Sequence, residues 1–598
     1  MFLRLAILLA VLGLGTLPLL AQFDTGTING TVADQSGALV PNATVAIMNV
    51  GTGIQTNQVT DQNGNFVASA LPFGNYVITA NATGFAESKS AQIKLNVGAT
   101  VNVNLAMAIA AAGESIQVTG TFQTVDTSSS TSGTTLDTNQ IANLPVNGRD
   151  LSDFLEIAPG SVDSTGFFQG SVDGLDNIFT GLNITLDGQS ATRGDINGFL
   201  DTEGQEQARV TRASVDSVQE IDFSNSGYGA ENGHSLGPQM NIITKSGSNA
   251  YHGELFEFFR NDALDAKDYF ETSKQPLRLN QFGGNLGGPI IKNKLFFFVN
   301  YEGDRTHVTL INALNHTLSA YARSKFVASM QPILAQFAPL PAGCTAIPAP
   351  ASCADNNFLD GNNPATQGSD MVYDPAVLPN ILREDTGSAR IDYNVSDKDR
   401  VFVRYNINDS LTNYTFGLNQ GQVSPQALRT QFGKLDETHT FNGTLLNEFS
   451  LSITRFYSDT NSNTNSNTPT PLAGVNGFFT DLGSLPGPNS FNQITPFTNL
   501  EVFDNVAKTI ASHTLTFGTQ IRINRNNEWL RPQQTYDYAS VNDLVTDNNN
   551  LGHGVFVLQK NGFPGFVGIK NSNWDFYVQD DWKVNRKLTL NLGVRYDY

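Results

Sequence analysis

Ala389-Arg390-Ile391-Asp392-Tyr393-Asn394-Val395, a break at residues 396–399, and Val401-Phe402-Val403-Arg404-Tyr405-Asn406-Ile407-Asn408 form the stretch on which the fold turns. In the first run Ala389, Ile391, Tyr393 and Val395 alternate with Arg390, Asp392 and Asn394. In the second, Val401, Val403, Tyr405 and Ile407 alternate with Phe402, Arg404, Asn406 and Asn408. Successive side chains of an extended chain point to opposite faces, so each run has one apolar or aromatic face and one that is mostly polar or charged. The pattern returns in Leu515, Phe517, Ile521 and Ile523 against Thr514, Thr516, Gly518, Gln520 and Arg522. It returns again in Leu588, Leu590, Leu592, Val594, Tyr596 and Tyr598 against Lys587, Thr589, Asn591, Gly593, Arg595 and Asp597. Strands of soluble sandwiches average about five or six residues. Runs of about ten with aromatics at their ends suit a bilayer-spanning barrel with its apolar side to lipid.

The connections sharpen this expectation. Residues 291–293, 396–399 and 585–586 read as tight turns, whereas 306–384, 410–436, 458–500 and 525–571 read as long polar connections. Short and long alternate, as in outer-membrane barrels with tight periplasmic turns and extended outside loops. Loops beyond about 15 residues are otherwise uncommon in compact domains. Cys344 and Cys353 both fall in the first long connection, with Pro348 and Pro350 between them. A local disulfide that stiffens an external loop is the preferred reading over two free thiols.

Composition agrees. Of 598 residues 15% are charged, against about 25% in ordinary soluble domains. The 35 Lys and Arg against 55 Asp and Glu leave a net charge of -20, which disfavours binding to nucleic acid through phosphate neutralisation. Met1–Arg4 carry one positive charge, Leu5–Leu20 are almost wholly apolar and Ala21 is small. Residues 1–21 therefore read as a secretory signal peptide, the alternative being a single minimal transmembrane anchor, which the absence of a basic stop-transfer flank disfavours. Nothing later reaches about 18 consecutive apolar residues, so a barrel is the only membrane-spanning element available.

Residues 22–107 read as a small antiparallel sandwich of about seven short strands. Their turns are Asp34-Gln35-Ser36-Gly37, Asp61-Gln62-Asn63-Gly64 and Pro72-Phe73-Gly74. Gly30, Val32, Asp34, Gly37, Val40-Pro41, Gly64, Phe66, Leu71-Pro72, Tyr76 and Gly84-Phe85 resemble the carboxypeptidase regulatory-like, transthyretin-type domain, which implies a binding or spacer module and no peptidase. A linker at 108–122 follows. Within it Glu114-Ser115-Ile116-Gln117-Val118-Thr119 is a short extended run able to add as a strand to a partner's sheet edge. It resembles the TonB box of outer-membrane transporters; the alternative reading is the first strand of the next domain.

Residues 123–248 carry three ordered fragments, with the best helix candidate at 141–155. The first fragment contains Leu144, Pro145, Asn147, Gly148 and Arg149, and the second Asp187 and Gly188. The third runs from Val218-Gln219-Glu220-Ile221 to Asn241, Thr244 and Lys245. Together they resemble the plug domain of TonB-dependent receptors of the Oar-like branch. The start of 249–598 fits the same family through His252-Gly253, Phe256-Glu257-Phe258, Asn280-Gln281-Phe282-Gly283 and Leu286-Gly287-Gly288-Pro289. The expected fold is mainly β: an N-terminal transthyretin-like β-sandwich, an α+β plug domain, and the first half of a transmembrane antiparallel β-barrel.

The residues show no enzymatic site. The seven His form no His-Glu-x-x-His, so a zinc peptidase is unsupported. His252 and Glu254 would share a strand face as a structural pair. Residues 283–288 lack the Lys of a phosphate loop and read as glycines that let a neighbouring segment approach closely. Asp173-Gly174-Leu175-Asp176 is better explained by turn chemistry than by Ca²⁺. No cofactor or metal is expected.

About ten to twelve strand candidates follow residue 251, where a plugged transporter needs about 22. Twelve strands give a radius of roughly 12 Å, too small for a plug whose radius of gyration is about 14 Å. The expectation is a partial chain, with more of the barrel beyond Tyr598. Its aromatic end resembles the signal read by the outer-membrane barrel assembly machinery. The resemblance implies active uptake of an unknown small or oligomeric ligand across the outer membrane. A TonB-type energy-transducing complex would pull on the segment from Glu114 to Thr119, and the N-terminal domain would lie in the periplasm. The alternatives are a surface adhesion or scaffold protein anchored in the lipid bilayer by its barrel, possibly carbohydrate-binding, and a soluble secreted carbohydrate-binding protein.

Overall fold

The computed structural model describes residues 25–598 except 97, 110–115, 118–129, 145, 147–148, 150, 152–153, 155–156, 158–160, 163–170, 173–182, 192–212, 235–238, 268, 270–273, 275, 313–315, 329–330, 335–339, 341, 346–370, 374–375, 416–422, 443, 461–471, 476–492, 531–534, 539–554, 557–565 and 586–587. The expected signal peptide and the Asp173–Asp176 turn lie outside the described residues. Among the described residues no helix is long and apolar enough to cross a membrane.

The first module contains β1 (Thr25–Asp34), β2 (Thr44–Asn49), β3 (Gln55–Val59), β4 (Asn65–Pro72), β5 (Gly74–Asn81), β6 (Ser88–Lys89), β7 (Ile93–Leu95), β8 (Thr100–Asn102) and β9 (Leu105–Met107). One sheet has the order β4-β1-β8 with β9 on β1. The other has β6-β5-β2-β3 with β7 on β5 and, at its edge, β10 (Ile116–Gln117). Val32, Val45, Ile47, Tyr76, Ile78 and Leu105 meet in the core between them. The Asp34 carboxylate accepts the N–H groups of Ser36 and Ala38, and that of Asp61 the N–H groups of Asn63 and Asn65. Each turn thus closes on its own aspartate. The sheets are not purely antiparallel as expected: β1 pairs in parallel with β8 and β9. The chain crosses between the sheets after β7 and returns along β1, a long-range choice that alternation does not encode.

The region expected as the plug contains β11 (Ser132–Asp137), a helix (Thr138–Asn143), a ribbon of β12 (Ser161–Val162) and β13 (Ser171–Val172), then β14 (Asn183–Leu186), β15 (Gln189–Ser190), a 3₁₀ turn (Val215–Ser217), β16 (Val218–Ser226) and β17 (Gln239–Thr244). Its sheet order is β11-β16-β17-β14-β15. The helix expected at 141–155 is in fact Thr138–Asn143. Asp137 caps it reciprocally with Gln140, an N-terminal signal. Leu144, before Pro145, is extended with ψ of 132°, as the pyrrolidine ring requires of its predecessor.

The barrel sheet is formed by β18 (His252–Asn261), β19 (Leu277–Ile291), β20 (Leu295–Asn312), β23 (Ala376–Asn394), β24 (Asp399–Thr415), β25 (Val423–Asn442), β26 (Leu445–Thr460), β28 (Gln493–Ile510), β29 (His513–Leu530), β32 (Phe566–Asn585) and β33 (Leu588–Asp597). These are 11 strands in sequential order, each antiparallel to the next. The long connections hold β21 (His316–Leu318) with β22 (Met371–Tyr373), and β27 (Leu472–Val475) with β30 (Thr535–Tyr538) and β31 (Val555–Phe556). Among the described residues β18 and β33 do not pair with each other.

Burial is inverted relative to a soluble protein. Ile391, Tyr393, Val403 and Tyr405 are exposed on one face, whereas Arg390, Arg404, Asn406 and Asn408 are buried on the other. Two expectations need correction. Nine of the eleven strands are longer than ten residues, reaching 20 in β25 and β32, while β18 and β33 have ten. Several long connections are accordingly shorter, and 410–436 reduces to 416–422 between β24 and β25. At about 3.3 Å per residue such strands outrun an apolar band about 25 Å tall. Past the band the outward positions turn polar, as at Asp409 and Arg429, while Ser410, Thr412, Gln426 and Thr430 stay buried on the inner face, so the apolar alternation fades while the ladder continues. The short connections are 292–294, 395–398, 443–444, 511–512 and 586–587, all at one end.

Candidate functional site

The expected plug packs on the polar face of the barrel sheet, and four strands of that sheet reach one of its turns. Leu186 pairs with Gln189, leaving Asp187 and Gly188 as a two-residue loop with φ of 46° and 74°. Positive φ at both positions makes a type I′ turn, a geometry that Asp-Gly adopts readily.

Asp187 is fully buried. Its carboxylate accepts the N–H of Thr244 at 2.8 Å, the Thr244 hydroxyl at 2.7 Å and Arg404 Nη1 at 2.6 Å. Arg390 Nη1 lies 3.5 Å away, and the Asp187 carbonyl accepts Lys434 Nζ at 2.5 Å. Arg404 also donates to the Leu186 carbonyl and to Gln189 Oε1. Gln189 Nε2 donates to the Ile453 carbonyl and to Thr454 Oγ1. Arg390, Arg404, Lys434 and the Ile453-Thr454 pair belong to β23, β24, β25 and β26, so four consecutive strands grip one turn. The Phe402 ring lies beneath Arg390 and Lys434, at 4.1 Å and 5.3 Å from its centroid, where its π-face favours positive charge. Burial pushes the Asp187 carboxyl up, but the guanidinium groups of Arg404 and Arg390, with the bonds from Thr244, hold it below the ordinary value.

Asn241 braces the turn, its Oδ1 accepting from Thr185 Oγ1 at 2.8 Å and from the Gly188 N–H at 3.3 Å. Lys245 donates its backbone N–H to Ser217; burial lowers its ammonium pKa. Arg149 pairs with Asp216 at 2.8 Å and stacks over Phe258 of β18 at 3.5 Å. Ser214 donates to Glu302 of β20. At the opposite side His234 meets Asp575 of β32, and Arg595 of β33 donates to the Glu231 carbonyl. Arg595 lies 3.1 Å from Asp575 and 2.6 Å from Asp597, supplying the charge that a cation at this acidic cluster would otherwise bring. Leu428, Phe432, Phe456 and Phe497 of the barrel share one core with Ile141, Leu186, Ile221 and Phe223 of the plug.

Of the residues singled out in the sequence, Asp187, Gly188, Asn241 and Thr244 come together, Lys245 lies instead by Arg149 and Asp216, and Leu144 packs against the shared core. Pro145, Asn147 and Gly148 lie outside the described residues, as do Glu114, Ser115, Val118, Thr119 and Cys353. Cys344 is disulfide-bonded. His252 does not meet Glu254; its ring bonds to Ser248 and the Ala250 carbonyl. In Gly283–Gly288 the close approach is present: a Cβ at Gly283 would lie 2.3 Å from the Tyr301 carbonyl oxygen. The barrel half of the clamp, Arg390, Arg404 and Lys434, was not singled out. The available signal was three cations at face-sharing positions of three adjacent strands, among Asn, Thr and Ser but also Asp392, Phe402, Phe432 and Asp436.

The family model for the outer membrane beta barrel domain matches residues 243–598. The chain belongs to this family. Ahead of the outer-membrane barrel, the carboxypeptidase regulatory-like domain matches residues 27–108. The TonB-dependent transporter Oar of Myxococcus xanthus is 28% identical over 312 residues, which cover 49% of this chain and 28% of that protein. Solved structures similar to this outer-membrane barrel include the transporter YddB of Escherichia coli and the siderophore receptor PirA of Acinetobacter baumannii. Each has a TM-score of 0.47 and 13% identity, over 78% of this chain and 56% of the other. This outer-membrane barrel chain thus spans about a quarter of the curated relative's length.

Proposed function

We propose that the chain acts as a TonB-dependent outer-membrane transporter, with residues 123–248 as a movable plug. The observation that carries this reading is the clamp at Asp187: a plug turn held by four barrel strands within a polar-lined lumen. Such a clamp is strong yet local. Its ionic contacts are desolvated and so resist thermal opening, but they concentrate at one turn of the plug. The plug sheet places β11 at one edge and β14–β15, which carry the clamp, at the other. A pull on the segment Glu114–Thr119 would reach β11 first and peel the sheet from that edge, opening a path while the Asp187 turn stays anchored. In this reading the short turns face the periplasm. The sandwich lies at that end, with Asn249 Nδ2 bonded to the Thr52 carbonyl and to Asn293 of the β19–β20 turn. Barrel assembly machinery would insert the protein, and the external ligand would enter from the side of the long connections. The energy comes from elsewhere, so the chain needs no nucleotide site.

The test is binding of the purified periplasmic domain of a TonB-type transducer to the full-length protein in detergent. Deleting residues 114–119 abolishes that binding under this proposal. Equal binding with and without the segment refutes it, and no binding at all favours the anchored adhesin or scaffold.

A further inference from the structure

The linker between sandwich and plug is stitched onto one edge of the sandwich. Phe85 bridges Ile109, and the Ala86 N–H donates to the Ala108 carbonyl at 2.8 Å. Ile116 and Gln117 then lie parallel to Ser88 and Lys89, adding β10 outside β6 in the order β10-β6-β5-β2-β3. The same sandwich is tied down elsewhere. Lys94 pairs with Asp137, the cap of the plug helix, at 3.1 Å. Asn249 donates its backbone N–H to the Gly51 carbonyl, and Arg400 Nη2 reaches Thr56 Oγ1 at 3.4 Å.

We infer that the sandwich is a holder for the coupling segment: β6 occupies one main-chain edge of Ile116–Gln117, and a transducer strand pairing at that edge must displace it. The inference rests on the proposed transporter reading and adds its regulation. A strand added to a sheet edge binds through its main-chain N–H and C=O groups, and each edge of a strand pairs with one neighbour at a time. While β10 lies on β6, the edge facing β6 is closed to a partner. A two-residue parallel ladder carries few hydrogen bonds, so it delays capture without preventing it. Exchange of β6 for the transducer's strand is then the gating step, with the anchors at Lys94, Asn249 and Arg400 keeping β6 in place as the segment leaves.

The experiment uses the full-length protein carrying Lys89→Cys and Gln117→Cys, partners in register. The probe is the periplasmic domain of a TonB-type transducer, titrated against oxidised and reduced forms of the same preparation. Neighbouring positions of a ladder are within disulfide reach. The expected result is ready oxidation to an intramolecular disulfide and at least tenfold weaker binding in the oxidised form, restored on reduction, with wild-type binding insensitive to redox state. Failure of the disulfide to form overturns the pairing, and equal binding by both forms overturns its control of access. If the wild-type protein does not bind the probe, the transporter reading itself fails, a result separable from the other two.

Discussion

Arg404 and Asp187 form a 2.6 Å ion pair whose side chains are 1% and 0% exposed, joining the barrel wall to the plug where water is excluded. Taking one partner from such a pair costs about 3–5 kcal/mol, because the other is left charged and buried. Asp187→Asn and Arg404→Met should each lower unfolding stability in detergent by about that amount. The double variant should lose less than the sum. A double-mutant cycle with coupling below about 0.5 kcal/mol would remove the clamp from the account.

Acid should act on the plug with two signs. The Asp187 carboxyl is held below its ordinary value of 3.8. It contributes stability fully above the unfolded value, and this is lost as pH falls through the folded one. The Asp216 carboxyl is raised by burial, despite Arg149 and Lys245. Its ionisation costs stability as pH rises from the unfolded value through the folded one, and acidification returns that stability. Denaturation midpoints from about pH 7 to about pH 2 should show a flatter acid limb in Asp187→Asn and a lost gain at milder acidity in Asp216→Asn. An acid limb unchanged by Asp187→Asn contradicts the assignment.

Gly283 allows β19 and β20 to approach. A Cβ there would sit 2.3 Å from the Tyr301 carbonyl oxygen and 2.7 Å from Phe256 Cζ, whereas one at Gly387 would find its nearest neighbour at 3.7 Å. Gly283→Ala should cost about 1–3 kcal/mol by overpacking, with Gly387→Ala nearly silent in this respect. The comparison is made by heat-induced loss of the folded band on gels; equal behaviour of the two variants would exclude the steric explanation.

Val403 is 48% exposed on the apolar face. Placed against lipid, Val403→Lys should cost about 2–4 kcal/mol near the bilayer midplane, while Leu411→Lys, farther along β24, should cost about 0–1 kcal/mol beyond the apolar band. Folding free energies into lipid vesicles measure both. Equal costs would misplace the band.

Asn249 holds the sandwich through its bonds to Thr52 and Asn293, at 2.5 Å and 2.6 Å from Nδ2 and 2.8 Å to Oδ1. Only the Thr52 bond reaches the sandwich from the side chain, the bonds to Asn293 orienting it, so at about 0.5–1.5 kcal/mol per hydrogen bond Asn249→Ala should loosen docking by about that amount. Faster amide exchange at Gly51, Gly53 and Asn293, without change in the core strands β2 and β5, is the expected readout. Unaltered exchange at these amides would show that the sandwich is held elsewhere.

Alternation alone determined that the barrel region is built of strands, and local turn chemistry determined the turns at Asp34 and Asp61, whereas Asp187-Gly188 stood out only through the resemblance to a plug domain. Both depend on neighbours along the chain: a period of two sorts faces, and an aspartate bonds to N–H groups two to four residues on. The extensions of β24 and β25 were not legible, because there the outward positions are polar as well as most inward ones, so the apolar period is lost while the ladder continues. The parallel return of β8 and β9 along β1 was not legible either. Only the tertiary structure decided which cations meet Asp187. Arg390, Arg404 and Lys434 look like ordinary polar-face residues in sequence. They become a clamp when adjacent strands bring their inward faces within 2.5–3.5 Å of one turn, where burial makes each charge depend on its partner.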